Sequence, residues 1–185
     1  MPTRKNTFNR YQDMRYYLFF SVFVLLLSSS CYSFRGISLP EGAEVAVINL
    51  FEDNSLNAPP TLALDVTEAL RIKVRDEARL RIVEQSPDLE FKGTLVDFRV
   101  SAEAPTAGDS NTGEAFANLN RLTIVVAIEY VNHMDENDEG WRSNFSSFFD
   151  FPGSTPLSSV QDEAIEDILD QITEQIFNKA FTDSW

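Results

Sequence analysis

A single cysteine, Cys31, and a single histidine, His133, stand in 185 residues. One thiol cannot close an internal disulfide, so no disulfide framework holds this chain. One imidazole leaves His133 as the sole base for a histidine-dependent catalytic set. Its place at a strand end, beside Met134 and an acidic turn, reads as a surface histidine. Phosphate-cradling loops are missing too: neither a P-loop nor G-x-G-x-x-G occurs. Positive charge is scarce, with 15 Lys and Arg against 29 Asp and Glu, a formal −14. Residues 1–30 hold Arg4, Lys5, Arg10 and Arg15 against Asp13 alone, a net +3, which leaves −17 for the remainder. A body so acidic lacks the Lys/Arg–phosphate basis of nucleic-acid binding and is repelled by anionic lipid surfaces. The uncharged run Tyr16–Leu27 would reach about 18 Å as a helix, short of the roughly 20 residues a bilayer requires.

That run follows the basic stretch ending at Arg15 and precedes Ser28, Ser29 and Ser30. A basic start, a short apolar centre and a small-residue end make residues 1–30 a secretory signal peptide. Cys31 comes directly after it. The arrangement resembles the lipobox of bacterial lipoproteins, although Ser28 stands where leucine is usual and Leu27 lies one residue further back. The resemblance implies that the Cys31 thiol is diacylated, the preceding peptide removed and the new N-terminus acylated. Three acyl chains of the palmitate kind exceed the two signals that stable anchoring requires. Residues 31–43 lack periodicity and contain Gly36, Pro40 and Gly42, so they are expected to form an acylated tether.

The remainder, residues 44–185, is patterned as one domain. Glu44–Phe51 is β-branched and apolar, a strand, and "EDNSLNAPP" after it breaks it with turn residues. From Thr61 the period changes: Leu62, Val66, Leu70 and Val74 share one face, and Asp65, Glu68, Arg71 and Arg75 the other, an amphipathic helix. Arg79–Gln85 alternates as a short strand. Asp88–Ala104 is a long strand whose alternation slips, which predicts a bulge near Gly93–Leu95 or a strand apolar on both faces. Pro105–Asn118 is a long polar loop. Asn120–His133 and Trp141–Phe151 are strands joined by an acidic turn, a hairpin. A final helix from about Ser159 to Phe181 carries Ile165, Ile168, Leu169, Ile172, Ile176 and Ala180 as a stripe, with Ser158 and Gln161 spaced as a capping box. The order predicts an α+β two-layer sandwich, two helices packed on one face of a mostly antiparallel β-sheet.

No catalytic, metal-ligating or cofactor-binding set emerges. Asp135–Gly140 imitates the start of a calcium loop, but its twelfth position is Ser146 where a bidentate Glu is needed. Two features suit binding instead. Leu122, Ile124, Val126, Ile128 and Tyr130 line one face of their strand, while Val125, Ala127 and Val131 leave the other face only partly polar. In the next strand Phe145, Phe149 and Phe151 share one parity and Phe148 takes the other. Unless a bulge turns Phe148 inward, it joins Val125, Ala127 and Val131 on the uncovered face, and exposed apolar patches mark partner sites. The second feature is the 105–118 loop.

"CYSFRGISLP", "DLEFKGTLVDFRVSAEAPTA", "NRLTIVVAIEYVN" and "IFNKAFTDSW" in this order resemble the LPS-assembly lipoprotein family LptE, in its Bacteroidetes-type form, across Cys31–Trp185. The resemblance implies a helix-on-sheet sandwich without enzymatic activity. It implies an anchor in the inner leaflet of the outer membrane and a seat as a plug inside the LptD β-barrel. It also implies support for barrel assembly and lipopolysaccharide delivery, with lipopolysaccharide itself as a possible contact. A barrel lumen is polar, which suits a charged, compact plug. Two competing classes are an accessory lipoprotein of an ABC-type lipid transporter and a periplasmic enzyme or solute-binding lipoprotein.

Overall fold

The computed structural model describes residues 37–103, 118–135 and 137–182. The expected signal peptide, Cys31, the first part of the expected tether and residues 104–117, which include most of the expected 105–118 loop, lie outside them.

Among the described residues nine elements follow one another: β1 (Val45–Ile48), β2 (Glu52–Asp53), α1 (Leu62–Glu77), β3 (Arg81–Ile82), β4 (Leu89–Glu103), β5 (Leu119–Asn132), β6 (Trp141–Pro152), a 3₁₀ turn (Leu157–Ser159) and α2 (Gln161–Phe181). The sheet runs β3-β1-β4-β5-β6, with β2 added beside β4. The long β4–β5 and β5–β6 pairs are antiparallel. The short β1–β3, β1–β4 and β2–β4 pairs are parallel. β1, α1 and β3 thus form a β-α-β crossover, the connection a parallel pair requires.

Both helices lie on one side. Leu62, Val66, Leu70 and Val74 of α1 are fully buried, as are Ile168, Ile172 and Ile176 of α2. They meet Leu89, Phe91, Leu95 and Phe98 of β4, the Leu122–Tyr130 row of β5, and Phe145 and Phe151 of β6 in a single core. Rings tie the C-terminal end of α2 to the sheet: Phe177 to Phe181 at 5.0 Å, Phe181 to Phe91 at 6.1 Å, and Phe91 to Tyr130 at 5.1 Å between centroids. Burial on this scale contributes roughly 1.5–3 kcal/mol per large apolar side chain. Gly93 is required here, because a Cβ at that position would overlap the ring of Phe51.

Four local expectations need correction. The bulge lies one residue beyond the expected place: the β4–β5 register shifts between Leu95 and Asp97, which leaves Val96 as the extra residue. It lets Leu89, Phe91 and Leu95 before it, and Phe98 after it, face the same helices. Ser158 caps nothing. It sits inside the 3₁₀ turn, α2 starts after Val160, and the hydroxyl of Ser159 donates to Pro156 O at 2.8 Å. Pro156 opens a tight turn that absorbs both serines before the helix begins. The strand expected over Arg79–Gln85 shrinks to two residues because Arg79 and Ser86 adopt positive φ, 58° and 53°, a conformation that ends extended backbone. Glu52–Asp53, within a segment expected to be a turn, pairs with Thr94 and Leu95 of β4.

Candidate partner-binding face

Among the described residues the side of the sheet away from the helices is open, and strand register arranges it in rows. Lys92, Glu129 and Arg142 form one row, followed by Thr94, Ala127 and Asn144, and then Asp97, Val125 and Ser146. Beyond these come Arg99, Thr123 and Phe148, and then Ser101, Arg121 and Asp150.

All four proposed apolar contacts fall on this face. Val125, Ala127 and Val131 are half-buried, since their neighbours in the sheet cover part of each. Phe148 is 48% exposed and does not turn into the core. The guanidinium of Arg121 lies over its ring, 3.8 Å from the centroid. Such stacking contributes about 0.5–1 kcal/mol at an exposed site.

The cations of the face are engaged. Arg142 donates to Glu129 at 2.8 Å, Arg121 donates to Asp150 with both nitrogens at 2.7 and 2.8 Å, and Arg99 pairs with Asp97. The hydrogen bond from Arg142 holds the Glu129 carboxyl below its ordinary range, and that from Arg121 does the same for Asp150. A phosphate arriving here would compete with these carboxylates for the same guanidinium groups. Between the charged row and the Phe148 row, the small side chains of Thr94, Ala127 and Asn144 leave a shallow depression of about 660 Å³, rimmed by Lys92, Glu129 and Arg142. The geometry therefore offers an apolar strip edged by neutralised charge, suited to protein contact.

At the strand ends, His133 is exposed and engaged: its Nε2 lies 2.9 Å from Glu90 Oε2. Burial raises the Glu90 pKa, but bonds from His133 and Asn49, with Lys92 nearby, outweigh it and leave the carboxyl below its usual range. In the hairpin turn Asp135 and Asp138 accept hydrogen bonds from the turn's own backbone, at the N–H groups of Asn137 and Gly140. A second concavity, about 720 Å³, lies where the chain enters the domain and is lined by Ser38, Leu39, Tyr130, Trp141 and Lys179 among others. Burial pushes the Tyr130 hydroxyl up to about 12, so it stays protonated there. The N–H of Ser38 donates to Phe181 O at 2.7 Å, which fixes the segment before β1 to the last turn of α2.

Sequence reasoning missed the Arg121–Phe148 stack, because residues far apart along the chain meet through the β5–β6 register. The signal was available in retrospect: counting back from the hairpin turn places Thr123 opposite Phe148 and Arg121 one row away.

Residues 43–180 match the family model LptE, described as lipopolysaccharide-assembly. No curated protein matches the chain. Three solved structures are among those similar to the chain. A PelC dodecamer from Paraburkholderia phytofirmans is 17% identical, covers 74% of this chain and 93% of its own, and has a TM-score of 0.40. The hypothetical protein CT253 from Chlamydia trachomatis is 7% identical, with coverage of 75% and 98% and a TM-score of 0.44. A minor lipoprotein from Acinetobacter baumannii is 12% identical, with coverage of 79% and 99% and a TM-score of 0.42.

Proposed function

The chain belongs to the LptE lipopolysaccharide-assembly family, and from that premise we propose that it is a lipid-anchored protein of the outer membrane, facing the periplasm, that partners an LptD-type β-barrel. It works by binding. The single observation that carries this reading is the family match across residues 43–180, which spans all nine elements from β1 to nearly the end of α2. The anchor is Cys31, acylated after removal of residues 1–30. Among the described residues no helix is long and apolar enough to cross a membrane.

The open face supplies the contact. Val125, Ala127, Val131 and Phe148 provide apolar area, and the paired charges around them are already neutralised, so docking does not strand an ion. Lipopolysaccharide is the cargo of the assembly. Because Lys92, Arg99, Arg121 and Arg142 have carboxylate partners nearby, this face supports the barrel contact better than direct capture of glycolipid phosphates.

Affinity purification of the tagged full chain from mildly solubilised envelopes tests the reading. An outer-membrane barrel of LptD type retained with it is the expected result. An inner-membrane ATPase complex in its place would assign the chain to lipid-transporter accessory work.

A further inference from the structure

The concavity where the chain enters the domain is walled by two loops that hold each other. Pro40–Ala43 is a closed turn: the Ala43 N–H donates to Pro40 O at 3.1 Å, and Gly42 sits at φ 86°, a conformation glycine takes without strain. A Cβ at Gly42 would stand 3.3 Å from the Met134 methyl group, so this turn packs on the β5–β6 hairpin. There the buried side chain of Asn132 donates to Asp138 Oδ2 and accepts from the Met134 N–H, both at 3.0 Å. Both walls are therefore fixed before any ligand arrives.

The polar groups inside do not satisfy one another. The Lys179 ammonium lies over the Trp141 ring, 5.3 Å from its centroid, and Trp141 stacks on Tyr130 at 5.4 Å. Glu41, Asp135 and Asp138 line the same cavity, yet among the described residues Lys179 pairs with no carboxylate. Tyr130 is only 5% exposed, and among the described residues its hydroxyl has no hydrogen-bond partner. Three carboxylates oppose a lone phosphate, and the ammonium opposes a lone cation. A group carrying both charges meets both demands through charge-assisted hydrogen bonds. We propose that this cavity takes the phosphoethanolamine headgroup of a phospholipid, with the phosphate on Lys179 and the Tyr130 hydroxyl and the primary ammonium on Glu41, Asp135 and Asp138. A volume of about 720 Å³ accommodates it.

The choice of a lipid as the source rests on the Cys31 anchor proposed above. Cys31 precedes Ser38 by seven residues, at most roughly 25 Å of extended backbone, so acylation keeps this cavity close to a lipid surface. Ile37 and Met134 beside it are 38% and 42% exposed, apolar contacts for that surface. A zwitterionic lipid is also the kind that an acidic body approaches without repulsion. Val125, Ala127, Val131 and Phe148 do not line the cavity, so the headgroup and the barrel do not compete for them.

Native mass spectrometry of the full acylated chain, released from detergent micelles doped equally with phosphatidylethanolamine, phosphatidylcholine and phosphatidylglycerol, tests this. Phosphatidylethanolamine is expected to be retained about tenfold over the others, because phosphatidylcholine offers the carboxylates no N–H and phosphatidylglycerol offers no cation. Lys179→Ala, and Glu41→Gln combined with Asp135→Asn, are each expected to abolish the preference while keeping the melting profile of the parent. Arg75→Ala on α1 keeps the preference. Equal retention of the three lipids by the parent, or an unchanged preference in both cavity variants, would overturn the proposal. Acyl-free glycerophosphoethanolamine separates the sources: it is expected to compete only in large excess, and displacement of the lipid at equal concentration would overturn the assignment to a membrane. The Cys31→Ser chain in the same micelles is expected to keep the preference, since domain residues alone build the cavity. Loss of the preference there would assign it to the acyl groups and overturn the site, whereas failure of the anchor alone is read from palmitate labelling.

Discussion

Ile172 and Asp167 lie on the same helix with opposite fates. Ile172 is fully buried, whereas Asp167 is exposed and accepts a hydrogen bond from Gln171 at 2.7 Å. Ile172→Ala is expected to cost about 2–5 kcal/mol and Asp167→Ala about 0.2–0.5 kcal/mol, measured by equilibrium unfolding in urea. At Cys31 the expectation is chemical: Cys31→Ser leaves an unprocessed precursor that takes up no labelled palmitate, checked by metabolic labelling. Residue-scale features were legible wherever spacing along the chain carried the signal, as along the Leu62–Val74 stripe. They were not legible where the signal was a contact. No local pattern announces that Gly93 must make room for Phe51, or that Arg121 covers Phe148, because each pair is distant in the chain and joined only by strand register.

The long elements were readable and their junctions were not. The stripe of α2 and the alternation of β5 persist over enough residues to fix their period, and both faces of β5 were assigned from it. Junctions depend on backbone geometry that composition states only loosely: the bulge fell at Val96, positive φ at Arg79 and Ser86 clipped β3, and the 3₁₀ turn displaced the expected cap of α2. Because Val125 is half-buried on the open face and Phe148 is 48% exposed there, an acidic residue at either position is expected to leave the domain folded. Val125→Asp and Phe148→Asp should keep the far-ultraviolet circular dichroism and melting profile of the parent, and should reduce recovery of the barrel in affinity purification. Unfolding of either variant would place that side chain in the core, since an unpaired buried charge is costly.

Over the whole molecule, acidity is partly held in check by local partners. The carboxyls of Asp88, Glu90, Glu129, Asp150 and Glu174 are all held below their ordinary values: Asp88 by the N–H groups of Glu44 and Val45, Glu129 by Arg142, Asp150 by Arg121, Glu174 by Lys73, and Glu90 by His133 and Asn49 against its own burial. A depressed carboxyl stabilises the fold above its unfolded pKa and loses that contribution as pH falls through its folded pKa. The melting temperature is therefore expected to fall below about pH 4, and Asp88→Asn to flatten that fall while lowering stability at neutral pH, followed by thermal melts across the acid range. The central claim is that the open face meets an outer-membrane barrel. A photo-crosslinking amino acid at position 125 of the full chain, activated in living cells and compared with the same probe at the helix-face position 167, tests it most directly. The account predicts that position 125 yields an adduct containing an LptD-type barrel and that position 167 yields little or none. Capture of the barrel from 167 and not from 125 would contradict it.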